Sequence, residues 1–251
     1  MSFFVILSER GQFSEEEFNG KPTHYSGCSI TIPSPPFTTS QPPDWYDNEH
    51  IAKVKHLPGF STIQRYTQRD SRQPSYLTLS KHAFEDGQRA FNTPEFIEYS
   101  LNLSDREKHI ISNLPIVNRR SYKPIFQQPP NITTPAAKYI FMVEADLKEP
   151  SDELDGEFNE WYNNVHIPDV MKTKGWVSSR RFQLQESEDF GTNAPLPEHA
   201  PTKYLAIHEF DNSEYMQDEA MIASISREET QKMAGKVKFD LRHFVLHKDF
   251  S

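Results

Sequence analysis

The sequence predicts an α+β protein in which two copies of a β-α-β-β-α-β unit form one closed barrel. Three observations lead to this prediction: an internal repeat, the same order of apolar segments in both copies, and prolines concentrated between those segments. The chain has 251 residues, which allows one large domain or two small ones. Its 19 prolines, against 9 glycines, must lie mostly outside regular structure.

The internal repeat is anchored by a short aromatic motif. Residues 45–51, WYDNEHI, match residues 161–167, WYNNVHI, without a gap. The same offset pairs Arg65 with Arg181 further along the chain. Chance rarely matches tryptophan, tyrosine, histidine and arginine together, so the pattern indicates a duplication.

The apolar segments follow the same order in each copy. In the first copy we expect strands at 3–9, 60–68, 76–84 and 117–126. We expect helices at 14–19, continuing as 44–56, and at 94–114, the last of them broken near 102–104. In the second copy we expect strands at 138–147, 176–185, 203–210 and 237–247, with helices at 151–172 and 213–234. This order is that of the ferredoxin-like unit, whose helices cover one face of a four-stranded antiparallel sheet. Two such sheets can bury their open faces against each other within one chain, as a pseudo-dimeric α+β barrel.

The prolines divide the chain into two repeats, 1–126 and 138–251, joined by a linker at 127–137. Residues 20–43 contain six prolines and interrupt what should be one continuous helix in the first copy. We expect this segment to be disordered. Two interpretations remain for it: a surface loop, or a segment foreign to the fold, such as a retained intron.

Charge and composition exclude several classes of function. The chain has 27 basic and 36 acidic residues, a net charge of −9, which disfavours nucleic acid as a partner. No apolar run is long enough to span a bilayer, and we find no secretory signal. The single cysteine, Cys28, fits a reducing, cytoplasmic location. We therefore expect a small-molecule ligand, with no nucleic-acid or membrane partner, and a monomer or homodimer.

The repeated histidines are the first candidates for catalysis. His50 and His166 each follow a tyrosine, Tyr46 or Tyr162, by four residues, which places both rings on one turn of a helix. Imidazole can move protons near neutral pH, and the tyrosines can assist as donors. Asp47, in the first copy only, can orient an imidazole, so we expect the first copy to be the better equipped. The alternative is that both histidines only tie the helix to the sheet.

The candidate ligand-binding residues are aromatic, basic or imidazole side chains: Trp45, Trp161, Arg65, Arg181, Tyr204 and His208. The arginines can stabilise a carboxylate or enolate oxygen, or else pair with acidic helix residues. The tryptophans can line a pocket, or form plain core. Strand alternation places Tyr204 and His208 on one face, but leaves open whether that face lines the barrel.

Several familiar chemistries are missing from the sequence. There is no glycine-rich phosphate loop, no Gly-x-Ser-x-Gly turn and no pair or cluster with zinc-ligand spacing. We therefore expect no metal site and no cofactor.

The motif at 45–51, with Gly59-Phe60 and Arg65-Tyr66 after it, resembles the EthD-like branch of the dimeric α+β barrel superfamily, and 161–182 resembles it again. The layout is similar to tandem EthD-domain proteins of filamentous fungi. The resemblance implies a protein that acts on a small aromatic or polyketide-like molecule by cyclisation, decarboxylation or cofactor-free oxygenation. The superfamily also implies two alternatives: a non-catalytic ligand-binding or stress-type barrel, and a haem-binding protein with a histidine ligand.

Overall fold

The strands form one closed antiparallel barrel. The computed structural model describes residues 2–13, 18, 45–82, 88–131, 135–192 and 200–251. Within these residues the strands are β1 (Ser2–Glu9), β2 (Phe60–Gln68), β3 (Tyr76–His82), β4 (Ile116–Gln128), β5 (Tyr139–Leu147), β6 (Trp176–Asp189), β7 (Tyr204–Phe210) and β8 (Val237–Asp249). Around the barrel their order is β1-β3-β2-β8-β5-β7-β6-β4, and β4 pairs with β1 to close it.

The two halves of the chain contribute equal shares of this barrel. The first half supplies the order β4-β1-β3-β2 and the second half supplies β8-β5-β7-β6. Two ladders, β2 with β8 and β4 with β6, join the halves. The predicted α+β class with a closed barrel is confirmed, and closure removes the exposed sheet edges that each half would otherwise have.

The helices lie outside the barrel. In the first half they are α1 (a π-helical turn, Trp45–His50, followed by Ile51–Val54), α2 (Gln88–Phe91), α3 (Pro94–Leu101) and α4 (Asp105–Asn113). In the second half they are α5 (Asp152–Trp161, a π-helical turn over Tyr162–His166, then Ile167–Val170), α6 (Glu219–Ser226) and α7 (Glu228–Lys236). None of the helices in these described ranges is long and apolar enough to cross a membrane.

The central hairpins of the two halves have the same register. Arg65 on β2 lies opposite Thr78, and Arg181 on β6 lies opposite Ala206. Both hairpins carry an irregularity at the same place, after Phe60 and after Trp176. The hairpins are therefore equivalent in backbone terms, and their side chains can be compared position by position.

The inside of the barrel is filled by apolar side chains from all eight strands. They form one buried cluster: Phe3, Val5, Leu7, Tyr66, Leu77, Leu79, Tyr122, Ile140, Met142, Phe182, Leu205, Ile207 and Phe244. Buried ion pairs on the same strand faces extend this filling, for example Arg180 with Glu209 at 2.9 Å. The barrel interior is thus a packed core.

A second buried layer lies between the sheet and the helices of each half. In the second half it includes Trp161, Tyr162, Tyr204 and Ala206. In the first half its members include Trp45, Tyr46, Ile63 and Tyr76. The alternating residues of β7 that face the helices therefore include Tyr204 and His208, which settles the face that the sequence left open.

Several element boundaries differ from the sequence prediction. Strand β6 extends to Asp189 because β4 pairs with its outer end, Asn118 opposite Asp189. By contrast, the break predicted near 102–104 in the helical segment 94–114 is confirmed, because α3 ends at Leu101 and the capping box of Ser104 and Glu107 starts α4. The insertion at 20–43 lies outside the described residues.

Candidate functional site

The repeated motif adopts a π-helical turn in both halves. Since π-helical hydrogen bonds run from residue i to i+5, the histidine at its end contacts both the tryptophan and the tyrosine at its start. His166 stacks on Trp161 with ring centroids 4.9 Å apart and meets Tyr162 edge-on at 5.0 Å. His50 contacts Trp45 at 5.1 Å and Tyr46 at 5.4 Å, with tilted rings in both pairs. The sequence predicted the shared turn but not its π form.

His166 is a neutral imidazole with an unused nitrogen. Its Nδ1 atom is buried and has no hydrogen-bond partner among the described residues. Burial disfavours the charged ring and lowers the pKa of His166 to about 4, against an opposing effect of Asp169. A neutral ring with a free nitrogen can accept a proton.

His208 faces His166 across the helix–sheet layer, with ring centroids 6.1 Å apart. Its Nε2 lies 3.0 Å from the hydroxyl of Tyr162, and its Nδ1 lies 2.8 Å from the hydroxyl of Ser179. Burial, together with the neighbouring His166 and Arg181, lowers the pKa of His208 to about 3. Two neutral histidines and a tyrosine hydroxyl thus share one buried layer.

Arg181 places a buried positive charge beside these rings. Its guanidinium lies 4.3 Å from the centre of the Tyr162 ring and donates to Asn163 Oδ1 at 2.7 Å and Asn159 Oδ1 at 2.9 Å. It forms no ion pair with a carboxylate among the described residues. Burial lowers its pKa to about 10. We call Trp161, Tyr162, His166, Arg181 and His208 the second-half site.

The corresponding arginine of the first half, Arg65, has a carboxylate partner. Arg65 donates to Asp47 Oδ1 at 2.9 Å, and both side chains are buried. The other oxygen of Asp47 lies 3.1 Å from His247 Nε2. Burial tends to raise the pKa of Asp47, but His247 and Arg65 together hold it below its usual value. Asp47 therefore pairs with Arg65 and His247 and does not orient His50, contrary to the expectation from the sequence.

His50 is also held in a hydrogen-bond network. The hydroxyl of Tyr99 donates to Glu107 Oε1 at 2.9 Å, so it accepts from His50 Nδ1, also at 2.9 Å. Lys53 approaches the other oxygen of Glu107 at 2.5 Å. Tyr99 and Glu107 are not among the residues predicted from the sequence, although the spacing Ser104-x-x-Glu107 is a capping-box signal. In the first half the alternative role, a histidine that ties elements together, fits these contacts.

The remaining candidates pack between helix and sheet. The Tyr204 hydroxyl donates to Asp155 at 2.7 Å and accepts from Asn159 at 3.0 Å. Trp45 and Trp161 are 1% and 7% exposed, which makes both of them core residues. The sequence also missed Ser179, whose signal was a hydroxyl at a buried strand position where the first copy has Ile63.

Comparison with known proteins supports the barrel fold. No family model matches the chain, and no curated protein matches it. Among solved structures, an anthrone oxidase-like protein aligns over 99% of this chain and 91% of its own, with TM-score 0.58 and 9% identity. A candidate monooxygenase from Fusobacterium nucleatum aligns over 99% and 93%, with TM-score 0.51 and 8% identity. At such identities the likeness shows the α+β barrel fold alone.

Proposed function

We propose that the chain is a tandem EthD-like member of the dimeric α+β barrel superfamily, with ferredoxin-like repeats at 1–126 and 138–251. The equal strand orders of the two halves support this, as do the matching hairpin registers. The π-helical turn at the same motif in each half supports it further. A pseudo-dimer of this kind closes its barrel within one chain.

We further propose that the second-half site binds a small aromatic or polyketide-like ketone or phenol and performs cofactor-free acid–base chemistry on it. The observation that carries the proposal is the buried charge of Arg181, which lacks a carboxylate partner among the described residues and lies beside two neutral histidines. The carboxylate of Asp155 raises the pKa of Arg181 only from beyond ion-pair distance. A buried cation without a direct ion pair is costly, and an anionic ligand offsets that cost. The matching Arg65 already has Asp47, which favours the second half over the first.

The first chemical step follows from the charges. His166 removes a proton from a carbon that is next to the carbonyl group or, as in anthrone, conjugated with it through an aromatic ring, and the C–H electron pair moves through the conjugated bonds as the carbonyl becomes an enolate. The positive charge of Arg181 stabilises the enolate oxygen, with the Tyr162 hydroxyl as an additional donor. Cyclisation, decarboxylation and oxygenation of such substrates can all pass through this enolate.

Exchange of a carbon-bound proton tests this step without knowledge of the final product. Anthrone, whose methylene group is acidic, is incubated with the protein in D₂O without oxygen, and deuterium uptake is followed by NMR. We expect catalysed exchange by the wild-type protein. His166→Gln should lower the rate by about 100-fold or more, since it removes the base.

Two further variants separate this site from the first half. Asn163→Asp supplies Arg181 with the carboxylate that Arg65 has, so exchange should fall while the fold is kept. His50→Gln is the matched control and should exchange at the wild-type rate, because His50 is bonded to Tyr99. Equal loss in His50→Gln and His166→Gln, or full activity in His166→Gln, would contradict the assignment.

A further inference from the structure

Four side chains of the second half form one continuous hydrogen-bonded chain. Trp176 Nε1 lies 2.9 Å from Ser179 Oγ, Ser179 Oγ lies 2.8 Å from His208 Nδ1, and His208 Nε2 lies 3.0 Å from the Tyr162 hydroxyl. Ser179 and His208 are fully buried, and Tyr162 is 1% exposed. We call this the tryptophan–tyrosine chain. Its far end, Tyr162, belongs to the second-half site.

The direction of the chain follows from the chemistry of its groups. An indole N–H only donates, so Ser179 accepts from Trp176. Because His208 is neutral, only one of its nitrogens carries a proton. In the forward direction, Ser179 donates to Nδ1 and Nε2–H donates to Tyr162. In the reverse direction, Tyr162 donates to Nε2 and Nδ1–H donates to Ser179.

The two directions leave a different proton without an acceptor. In the reverse direction Ser179 accepts from both neighbours and its own buried proton has none, which costs about 1–3 kcal/mol. In the forward direction the proton without an acceptor is that of Tyr162, which is itself buried, so each direction leaves one buried hydroxyl proton unpaired at a similar cost. The forward direction is favoured because it is cooperative: each group that accepts a hydrogen bond becomes a better donor.

We propose that Trp176, Ser179 and His208 are positioning residues for Tyr162. Trp176 and Ser179 hold His208 in its Nε2–H tautomer, and His208 then donates to Tyr162, so that Tyr162 presents its own proton to a carbonyl or enolate oxygen of the ligand. This inference rests on the proposed function for the identity of the ligand. It changes the role of His208 from ligand contact to support of Tyr162. Burial raises the pKa of Tyr162 well above its usual value, so the hydroxyl keeps its proton and acts as a donor.

The first half has no such chain at the equivalent positions. Phe60 stands where the second half has Trp176, Ile63 stands for Ser179, and Ser80 stands for His208. There the hydroxyl of Tyr46 lies 2.7 Å from Thr78 Oγ1. Three coordinated differences therefore give the second-half tyrosine an imidazole partner on the sheet, where the first-half tyrosine has a threonine hydroxyl.

The tautomer of His208 tests the inference directly and needs no ligand. In protein labelled with ¹⁵N histidine, long-range ¹H–¹⁵N spectra distinguish the two neutral tautomers, and His208→Gln assigns the signal. We expect one tautomer, Nε2–H, in the wild-type protein. A wild-type Nδ1–H signal would overturn the proposal, because Tyr162 would then be donating to His208.

Variants test the roles of the individual groups. Ser179→Ala and Trp176→Phe should each give a mixture of tautomers, whereas Ser179→Thr, which keeps the hydroxyl, should preserve Nε2–H. Ser178→Ala is the matched control, because its hydroxyl is buried on the same strand but donates to Glu209 inside the barrel. Unchanged tautomers in both Ser179→Ala and Trp176→Phe would also overturn the proposal.

The exchange assay with anthrone links the chain to chemistry. Ser179→Ala should lower kcat for proton exchange about tenfold with little change in KM, and Ser179→Thr should restore it. An Nε2–H tautomer without any catalysed exchange would refute the proposed function and leave the direction of the chain intact. Catalysed exchange by a protein whose His208 is the Nδ1–H tautomer would refute the direction of the chain and leave the proposed function intact.

Discussion

At the scale of single residues, one motif has acquired different surroundings in the two halves. His50 is bonded to Tyr99, whereas His166 has a buried nitrogen without a partner in the described part of the chain. Asn163 stands in the second half where the first half has Asp47, so Arg181 donates to an amide oxygen and not to a carboxylate. His50 and His166, which look interchangeable in the sequence, thus differ in their hydrogen bonds and in the charges around them.

The buried histidines make stability depend on pH. The pKa values of His166 and His208 are about 4 and about 3 in the folded protein, below the value of about 6.5 in an unfolded chain. As the pH falls below about 6.5, the unfolded state therefore takes up protons that the folded state does not. We expect the free energy of unfolding to decrease from about pH 6.5 to about pH 4.5, by up to about 1.4 kcal/mol per pH unit for each histidine.

Urea denaturation at several pH values measures this dependence. His208→Gln should reduce the slope, since it removes one of the two groups. His109→Gln, at an exposed position on α4, is the control and should leave the slope unchanged. A wild-type stability that is flat over this range would contradict the prediction.

At the scale of elements, helix ends are set by local chemistry that the sequence displays. Ser151 accepts from the backbone N–H of Leu154 at 3.2 Å and begins α5. Gly59 and Gly175 follow the first helix of each half with φ of 98° and 80°, in the left-handed region that favours glycine. These residues place β2 and β6 directly after the helices that carry the motif.

Two glycines of the second half give a prediction with an internal control. A Cβ atom at Gly175 would lie 2.3 Å from Asp211 Oδ1 and 2.7 Å from Asn212 Cβ, in addition to the unfavourable φ. Gly175→Ala should therefore lower the free energy of unfolding by about 2 kcal/mol or more. Gly156, inside α5, has open space around it, and Gly156→Ala should raise stability by about 0.5–1 kcal/mol. Thermal and urea unfolding of both variants measure these changes, and equal effects would refute the argument.

At the scale of the whole molecule, the barrel depends on contacts between the halves. Arg242 on β8 donates to Asp70 Oδ2 at 2.8 Å and to the carbonyl oxygens of Arg72 and Pro74 at 3.0 and 2.9 Å. These partners lie in the connection between β2 and β3 of the first half. A buried guanidinium thus joins the two halves at the end of the barrel.

Arg242 and Arg72 join the same two segments at different depths, which gives a matched comparison. Arg242→Ala removes the buried cation from Asp70, which keeps only the backbone N–H donors of Arg72 and His243, and takes a donor from two carbonyl groups; it should destabilise the protein by about 3–5 kcal/mol. Arg72 forms a largely exposed pair with Asp240 at 2.7 Å, so Arg72→Ala should cost about 0–1 kcal/mol. Unfolding titrations distinguish the two, and a similar small loss in both would show that the halves do not rely on Arg242.

The sequence by itself determined the order of the elements, the equivalence of the two hairpins and the ends of the first helices. Period-2 and helical patterns, glycines and caps act over a few residues, so they can be read without a fold. The motif also marked the helix turns in both halves, but not the partners of Asp47, which are Arg65 and His247. Asp47 looked like a partner of His50 because the two are close in sequence.

Only the tertiary structure decided which groups meet. All seven residues of β7 are buried, since one face packs in the barrel and the other against helices, so alternation alone could not tell the two faces apart. The partners of Asp47, Arg181 and His208 come from segments far away in the chain, and nothing local encodes them. The lack of a direct ion pair at Arg181 among the described residues and the connectivity of the tryptophan–tyrosine chain follow from those long-range contacts. Burial makes each unmatched charge or hydrogen bond costly.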